Sequence, residues 1–434
     1  MATEQMKQSM SEAEKVLYKA YNRYQVMFER GDGVRLYDTD GTEYLDFFAG
    51  IAVNALGYHY PGYDEALKAQ IDKFQHISNY FYNPPALSAG EKLLKASQMD
   101  KVFFTNSGTE AVEGALKIAR RYAYDKNGDS SQYEIIAMDH SFHGRSMGAL
   151  SVTGKEAYRA PFEPLIPGIR FATFNDLDSV KAQITDKTCG IIVEPIQGEG
   201  GIYPATDEFL KGLRKLADEH DFILIFDEIQ CGMGRSGKYF AWQYSGVKPD
   251  VLTVAKALGN GVPIGAFLTS GKGNTTLKPG DHGTTYGGNP FVCAAADAVL
   301  TIMEKDDILK NVNETGAYLK EKLEGLKAKH PHIVDIRGKG MMYGVEFDIS
   351  VNPIINRALL DEHIVLINAG TNILRIIPAL IVTKENDDVV YYSAHNLPNV
   401  KTATVGTINV YDMLKYENVV ITKDAVQAIE EVYA

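Results

Sequence analysis

Between about residues 100 and 270 short apolar runs alternate with amphipathic stretches. KVFFTNS leads into the helical GTEAVEGALKIARRYAY, and EIIAMD follows. GIIVEP precedes TDEFLKGLRKLADEHD, FILIFDE comes directly after, and DVLTVA and PIGAFLTS close the series. Runs this uniformly apolar predict strands covered on both faces, as in a parallel sheet between helices. The alternation predicts the α/β class. Sheets of this kind bind ligands beyond the carboxyl ends of their strands, so the polar residues ending each run become site candidates: Asn106, Ser107, Asp139, Glu194, Asp227 and Lys256.

Residues 289–330 then carry one long helical pattern, and strand-like IVDIRGKGMMYGVEFD and LRIIPALIVT follow it. These predict a smaller α+β domain, joined by the first 60 residues, where Asp40-Gly41 signals a hairpin. The expected division is 1–60 and 306–385 for the two halves of the small domain, 61–305 for the large one, and 386–434 for an atypical tail.

A chain of 434 residues exceeds one ordinary core, which fits two domains. No apolar run approaches the roughly 20 residues of a membrane span, and the polar, acidic start is unlike a signal peptide. Cys189, Cys231 and Cys293 are widely spaced with no CxxC, which predicts a reducing, cytoplasmic setting with neither disulfides nor a metal. A net charge of −12 disfavours nucleic acid as a partner.

Lys256 sits in VLTVAKALGNG, between a β-branched run and a glycine-rich turn. Either it snorkels to water along its methylenes, or it is desolvated and inclined to lose its proton. Ser107, Gly108 and Thr109 stand at a strand-to-helix turn, with Ser107 and Glu110 spaced as a capping box. That turn is a capped helix or a phosphate cradle of free amides. Asp227 ends the most apolar run, where a carboxylate needs a cationic partner or a turn to cap. Phe142 and His143 precede Gly144 and Arg145; the pair reads as packing, the arginine as a carboxylate fork. Glu194 and Glu199 in VEPIQGEGG are solvated loop acids or the acid/base pair of a hydrolase. Taken together, a lysine, a strand-end carboxylate, a phosphate cradle and an aromatic lid suit pyridoxal 5′-phosphate, whose Schiff base needs the first and whose ring nitrogen needs the second.

The segments GIAVNALGYHYP, FFTNSGTEAVEGALKIAR, SFHGRSMGALSVTG, VEPIQGEGG, LIFDEIQCGMGRSGKYFAWQYSGVKPDVLTVAKALGNGVPIGA and HGTTYGGNP, in this order, resemble the class III, fold-type-I pyridoxal-phosphate aminotransferases over residues 20–385. The resemblance implies that Lys256 carries the cofactor, Asp227 pairs with its ring nitrogen and Gln230 with its ring hydroxyl. It implies Phe142 and Ile229 on the two ring faces, and Ser107, Gly108 and Thr109 on the phosphate. Thr285 would reach that phosphate from the second subunit of a homodimer. Arg145 and Arg375 would bind substrate carboxylates, with Glu199 neutralising Arg375 while a side-chain amine reacts. Family members acting on free ornithine carry a tyrosine where this chain has Ile51, which implies an acylated donor, with SNYFYNPP (78–85) in the region of the acyl pocket. Acetyl, succinyl and succinyl-diaminopimelate donors stay open. From about residue 386, NLPNVKTATVGTINVYDMLKY and VVITKDAVQAIEE resemble the carboxy-terminal end of the bacterial large-subunit ribosomal protein uL-four, where the family would close with one short helix.

Overall fold

A computed structural model gives the structure of residues 3–381. Its centre is a seven-stranded sheet of β1 (Lys101–Thr105), β2 (Glu134–Met138), β3 (Ile169–Ala172), β4 (Thr188–Val193), β5 (Ile223–Asp227), β6 (Val251–Val254) and β7 (Gly265–Thr269). They lie in the order β3-β2-β4-β5-β6-β7-β1. Side chains alternate between two apolar layers, as a period of two requires. Leu224, Phe226, Leu252 and Val254 face one layer with Phe209 and Val299. Ile223, Ile225 and Val251 face the other with Val112, Ala115 and Ala119 of helix α1 (Gly108–Asn127). Each fully buried Leu, Ile or Val contributes about 1.5–3 kcal/mol, which accounts for the nearly unbroken apolar runs.

The expected α/β architecture is present, with one exception to the parallel order. β7 runs antiparallel to both of its neighbours, pairing Val254 with Ala266 and Thr105 with Gly265. The chain from Val254 to Gly265 is too short for a parallel crossover, which takes about a dozen or more residues. β3 had no counterpart among the apolar runs. It is a half-exposed edge strand whose Arg170 pairs with Glu134, so its pattern is mixed.

The long helical pattern after residue 289 is two helices, Pro290–Lys305 and Ile308–Lys327. The break falls at Asp307, whose φ of +48° no helix interior accommodates. A two-stranded sheet, Ile196–Gln197 with Tyr203–Pro204, and two four-stranded sheets complete the sheets of the described residues. In one, strands Phe28–Asp32, Arg35–Asp38 and Glu43–Asp46 are extended by Ile364–Val365, which pairs in parallel with Leu45 and Asp46. The hairpin at Asp40-Gly41 joins the second and third of these strands. The other sheet holds Ile333–Lys339, Met342–Phe347, Ile373–Ile376 and Ile367–Ala369. The resemblance of residues 386–434 to a ribosomal protein lies outside the described residues. Among those described, no helix is long and apolar enough to cross a membrane, and the three cysteines are free and buried.

Candidate active site

The carboxyl ends of β1, β5 and β6 open into one cavity of about 430 Å³. Lys256 enters it directly after β6, in a left-handed conformation with φ +49°. A non-glycine residue held there costs on the order of 1–3 kcal/mol, a strain that concentrates at functional sites. The turn that follows is tied down from outside the sheet. The Tyr63 hydroxyl donates to the Gly259 carbonyl at 2.5 Å, and Asn260 accepts from the Leu56 amide at 2.8 Å and donates to the Gly57 carbonyl at 3.2 Å. Burial holds the Lys256 ammonium below the ordinary lysine value; Glu199 and Asp227 oppose that shift, and Arg375 adds to it. Lys256 is therefore desolvated rather than snorkelled.

Asp227 closes β5 with 3% exposure. One carboxylate oxygen accepts from the Ile229 amide and the Thr253 hydroxyl, both at 3.0 Å. The other lies 2.7 Å from Nδ1 of fully buried His143. The partner that a strand-end carboxylate needs is thus an imidazole from the loop that also carries Phe142. Read in sequence, His143 signalled packing alone; the structure makes it part of the site. Its Nε2 is buried with no hydrogen-bond partner among the described residues. Thr253 was missed as well, although a threonine within an apolar run, in register with Asp227 on the next strand, is its signal.

At the start of α1, Ser107 Oγ accepts from the Glu110 amide at 3.3 Å. The second half of a capping box is absent: the Glu110 carboxylate goes one residue further back, to the amide and side chain of Asn106 at 2.9 and 2.8 Å. Helix geometry leaves the first amides of α1 without intrahelical partners, and Ser107, Gly108 and Thr109 all line the cavity. A Cβ on Gly108 would stand 2.8 Å from Ile229 Cδ1, so a larger residue here has to displace that side chain. Gly108→Ala is expected to weaken phosphate-dependent cofactor binding roughly tenfold, by displacing Ile229 and narrowing the cradle. A spectroscopic cofactor titration with an unchanged midpoint would remove Gly108 from the cradle. The Thr109 hydroxyl is already engaged, 2.7 Å from Ser146 Oγ.

Glu194 and Glu199 are not solvated loop acids. Glu194 is 5% exposed and accepts from the amides of Phe142 and Gly198 at 2.8 and 2.9 Å. Burial, with Asp227 assisting, pushes its carboxyl up to about 7, while His143 and the two amides pull it down. Glu199 makes a 2.5 Å ion pair with Nη1 of Arg375, which is 1% exposed, and Gln230 lies 3.4 Å from the same nitrogen. Burial opposes ionisation of Glu199, but the guanidinium of Arg375 and the charge of Lys256 outweigh it and hold the carboxyl below its usual range.

The cavity thus brings together Ser107, Gly108, Thr109, Phe142, Arg145, Glu199, Asp227, Ile229, Gln230 and Lys256, with Arg375 behind Glu199. Thr285 is exposed and does not line it. Neither does Ile51, which packs beside Ala52, Ile196 and Ile377, while Val53 takes the lining position. Ala49 to Ala52 form a left-handed turn with φ of 47°, 61°, 67° and 60°. Asp46 holds it by accepting from the amides of Phe48 and Ala49, both at 2.8 Å, and from the Tyr58 hydroxyl at 2.9 Å. Tyr80, Phe81 and Tyr82 of the 78–85 segment are 93%, 64% and 106% exposed, far too open for an apolar pocket within this chain.

These residues fit pyridoxal phosphate: helix-start amides over a glycine floor for the phosphate, a buried carboxylate backed by an imidazole, and a desolvated lysine. The family model for class-III aminotransferases matches residues 17–395. The chain is 51% identical over 373 residues to the acetylornithine aminotransferase of Clostridium acetobutylicum, covering 86% of this chain and 96% of that one. It is 46% identical over 372 residues to that of Methanocaldococcus jannaschii, covering 85% and 92%. Among solved structures, the ornithine aminotransferase of Toxoplasma gondii matches with a TM-score of 0.84 at 31% identity, covering 88% of this chain and 91% of that one. The N-acetylornithine aminotransferase of Stenotrophomonas maltophilia matches with a TM-score of 0.74 at 34% identity, covering 87% and 94%. With its cavity built from the strand ends that the matched segments contribute, the chain belongs to the class-III aminotransferases, enzymes dependent on pyridoxal phosphate.

Proposed function

We propose that the protein transfers the side-chain amino group of N2-acetyl-L-ornithine to 2-oxoglutarate, giving N-acetylglutamate 5-semialdehyde and glutamate, a step of arginine biosynthesis. In this reading it works in the cytoplasm as a homodimer. The observation that carries it is the unequal state of the two arginines. Arg375 is buried and masked by Glu199 at 2.5 Å, whereas Arg145 stands at the cavity with no carboxylate partner among the described residues. The donor's reacting carbon bears no carboxylate, so it needs Arg375 masked; its α-carboxylate pairs with Arg145. The acceptor's reacting carbon bears one and needs Arg375 free, while its distal carboxylate takes Arg145. One movable glutamate serves both half-reactions.

Bound pyridoxal phosphate supplies an electron sink for the carbanion formed beside the reacting nitrogen. Asp227, held by Thr253, His143 and the Ile229 amide, is assigned the protonated ring nitrogen. Gln230 takes the ring hydroxyl, and Phe142 and Ile229 the ring faces. Lys256, its proton affinity lowered by burial, binds the cofactor and then moves the substrate proton. Thr285 is assigned to the phosphate of the other subunit. In support, Asn79 donates to the Gly287 carbonyl at 2.8 Å and His76 lies against Tyr286 at 5.3 Å, so the exposed aromatics at 80–82 and the Thr285 loop belong to one surface, suited to a second copy.

Glu199→Gln is expected to slow the donor half-reaction relative to the acceptor half-reaction by roughly tenfold, since a neutral amide masks a guanidinium less well. Stopped-flow traces of each half-reaction check it, and equal slowing of both would remove the gate. The donor itself is tested by titrating the yellow holoenzyme. Bleaching by N2-acetylornithine with recovery on 2-oxoglutarate is the expected result; indifference to it would reassign the donor. Free ornithine is the second reading, favoured by the high TM-score of the Toxoplasma gondii ornithine enzyme, and it predicts bleaching by ornithine first. The 51% and 46% identity to acetylornithine aminotransferases favours the acylated donor.

A further inference from the structure

Arg145 is held unlike any other charged group of the site. Its backbone is fixed: Glu113 Oε1 accepts from Ser146 Oγ and from the amides of Gly148 and Ala149 at 2.6, 2.9 and 3.2 Å, and the Ser146 amide donates to Thr109 Oγ1 at 3.2 Å. Its side chain is exposed, and its charge meets only aromatic rings among the described residues. The guanidinium carbon lies 3.9 Å from the centre of the Tyr158 ring and 5.3 Å from that of Phe142. The two rings meet edge-on at 90°, with centroids 6.4 Å apart.

Tyr158 sits in a one-turn helix, α2 (Glu156–Arg159), that is anchored from both sides. Arg159 donates to the Thr153 carbonyl at 2.7 Å and stacks on Phe171 at 3.9 Å. Thr153 in turn accepts from the His143 amide at 3.0 Å. The phenol ring is thus a fixed plate, joined through one short segment to the loop that carries Phe142, His143 and Arg145. A guanidinium stacked on a ring face keeps all its N–H donors in its own plane, free for a carboxylate.

We propose that Tyr158 is a positioning residue for substrate carboxylates, holding Arg145 flat so that its donor edge is presented at the cavity. Lys155, with its Nζ 4.6 Å from the same ring centre, adds a second cation beside the first. The proposal rests on the reading of Arg145 as the carboxylate-binding arginine.

The test compares Tyr158→Phe, Tyr158→Leu and Arg145→Gln in the holoenzyme, with N2-acetylornithine and 2-oxoglutarate as substrates. Tyr158→Leu keeps apolar bulk without a π face, and is expected to raise KM for both substrates roughly three- to fivefold. Its kcat and the visible cofactor band stay at wild-type values. Tyr158→Phe keeps the face and restores wild-type KM. Equal KM for the Leu and Phe variants overturns the proposal, as does a loss confined to kcat. If Arg145→Gln raises KM while Tyr158→Leu does not, the role of Tyr158 falls and that of Arg145 stands. If Arg145→Gln leaves KM unchanged, the reading of Arg145 fails, and the proposal with it.

Discussion

Replacing Lys256 with alanine is expected to abolish transamination, lowering turnover roughly 10⁴-fold or more, because one side chain serves as both cofactor anchor and proton carrier. The fold should survive. Burial already disfavours the ammonium, so removing it relieves a desolvation cost. Alanine also inherits the same φ of +49°, with no new strain relative to lysine. The expected pattern is therefore an unshifted thermal midpoint, no yellow band of lysine-bound cofactor, and no return of colour on 2-oxoglutarate. Steady-state assay of the purified variant decides it: a tenth of wild-type turnover would mean that another group carries the proton.

The second large effect concerns Asp227. Asp227→Ala is expected to lower kcat about 10³-fold, and to weaken cofactor retention, since the ring nitrogen loses the charge that keeps it protonated. It also strips an acceptor from the Ile229 amide, the Thr253 hydroxyl and His143 Nδ1 at once. Buried donors left unsatisfied cost about 1–3 kcal/mol each, so the alanine variant mixes lost chemistry with lost stability. Asp227→Asn separates the two. Its amide oxygen still accepts from Ile229 and Thr253 and only the His143 contact is lost, so the melting temperature should lie above that of the alanine variant while kcat remains as low. Cofactor titration with parallel thermal melts measures both properties. A wild-type rate in the asparagine variant would show that the ring nitrogen has another partner.

Much of this site could be read from residue order because a sheet places the ends of its strands side by side. The runs ending at Ser107, Asp227 and Lys256 needed only the α/β pattern to be assigned to one edge. Arg375 and Glu199 meet across 176 positions of sequence, and only family resemblance joined them beforehand. Three features stayed hidden for physical reasons. His143 pairs with Asp227 across 84 positions, a contact made by loop geometry that no local pattern encodes. The antiparallel course of β7 leaves its apolar run looking like that of a parallel strand, since both kinds are covered on two faces. Glu194 and Glu199 read as solvated because acids in glycine-rich loops usually are; the burial of Glu194 depends on two amides, and the pairing of half-buried Glu199 on a guanidinium supplied from elsewhere in the fold.

The fixed register between β6 and β7 bears on how this segment can change over evolutionary time. Lys256 lies between two adjacent antiparallel strands whose register is fixed at both ends, Val254 against Ala266 and Val251 against Thr269. Phe267 fits against Gly114 so closely that a Cβ on that glycine would meet its ring at 2.3 Å. One residue inserted or deleted within β7 itself, between Gly265 and Phe267, would turn Phe267 to the opposite face. Side chains along β7 can drift while its register cannot, so relatives aligned over this strand should differ by substitution rather than by a gap.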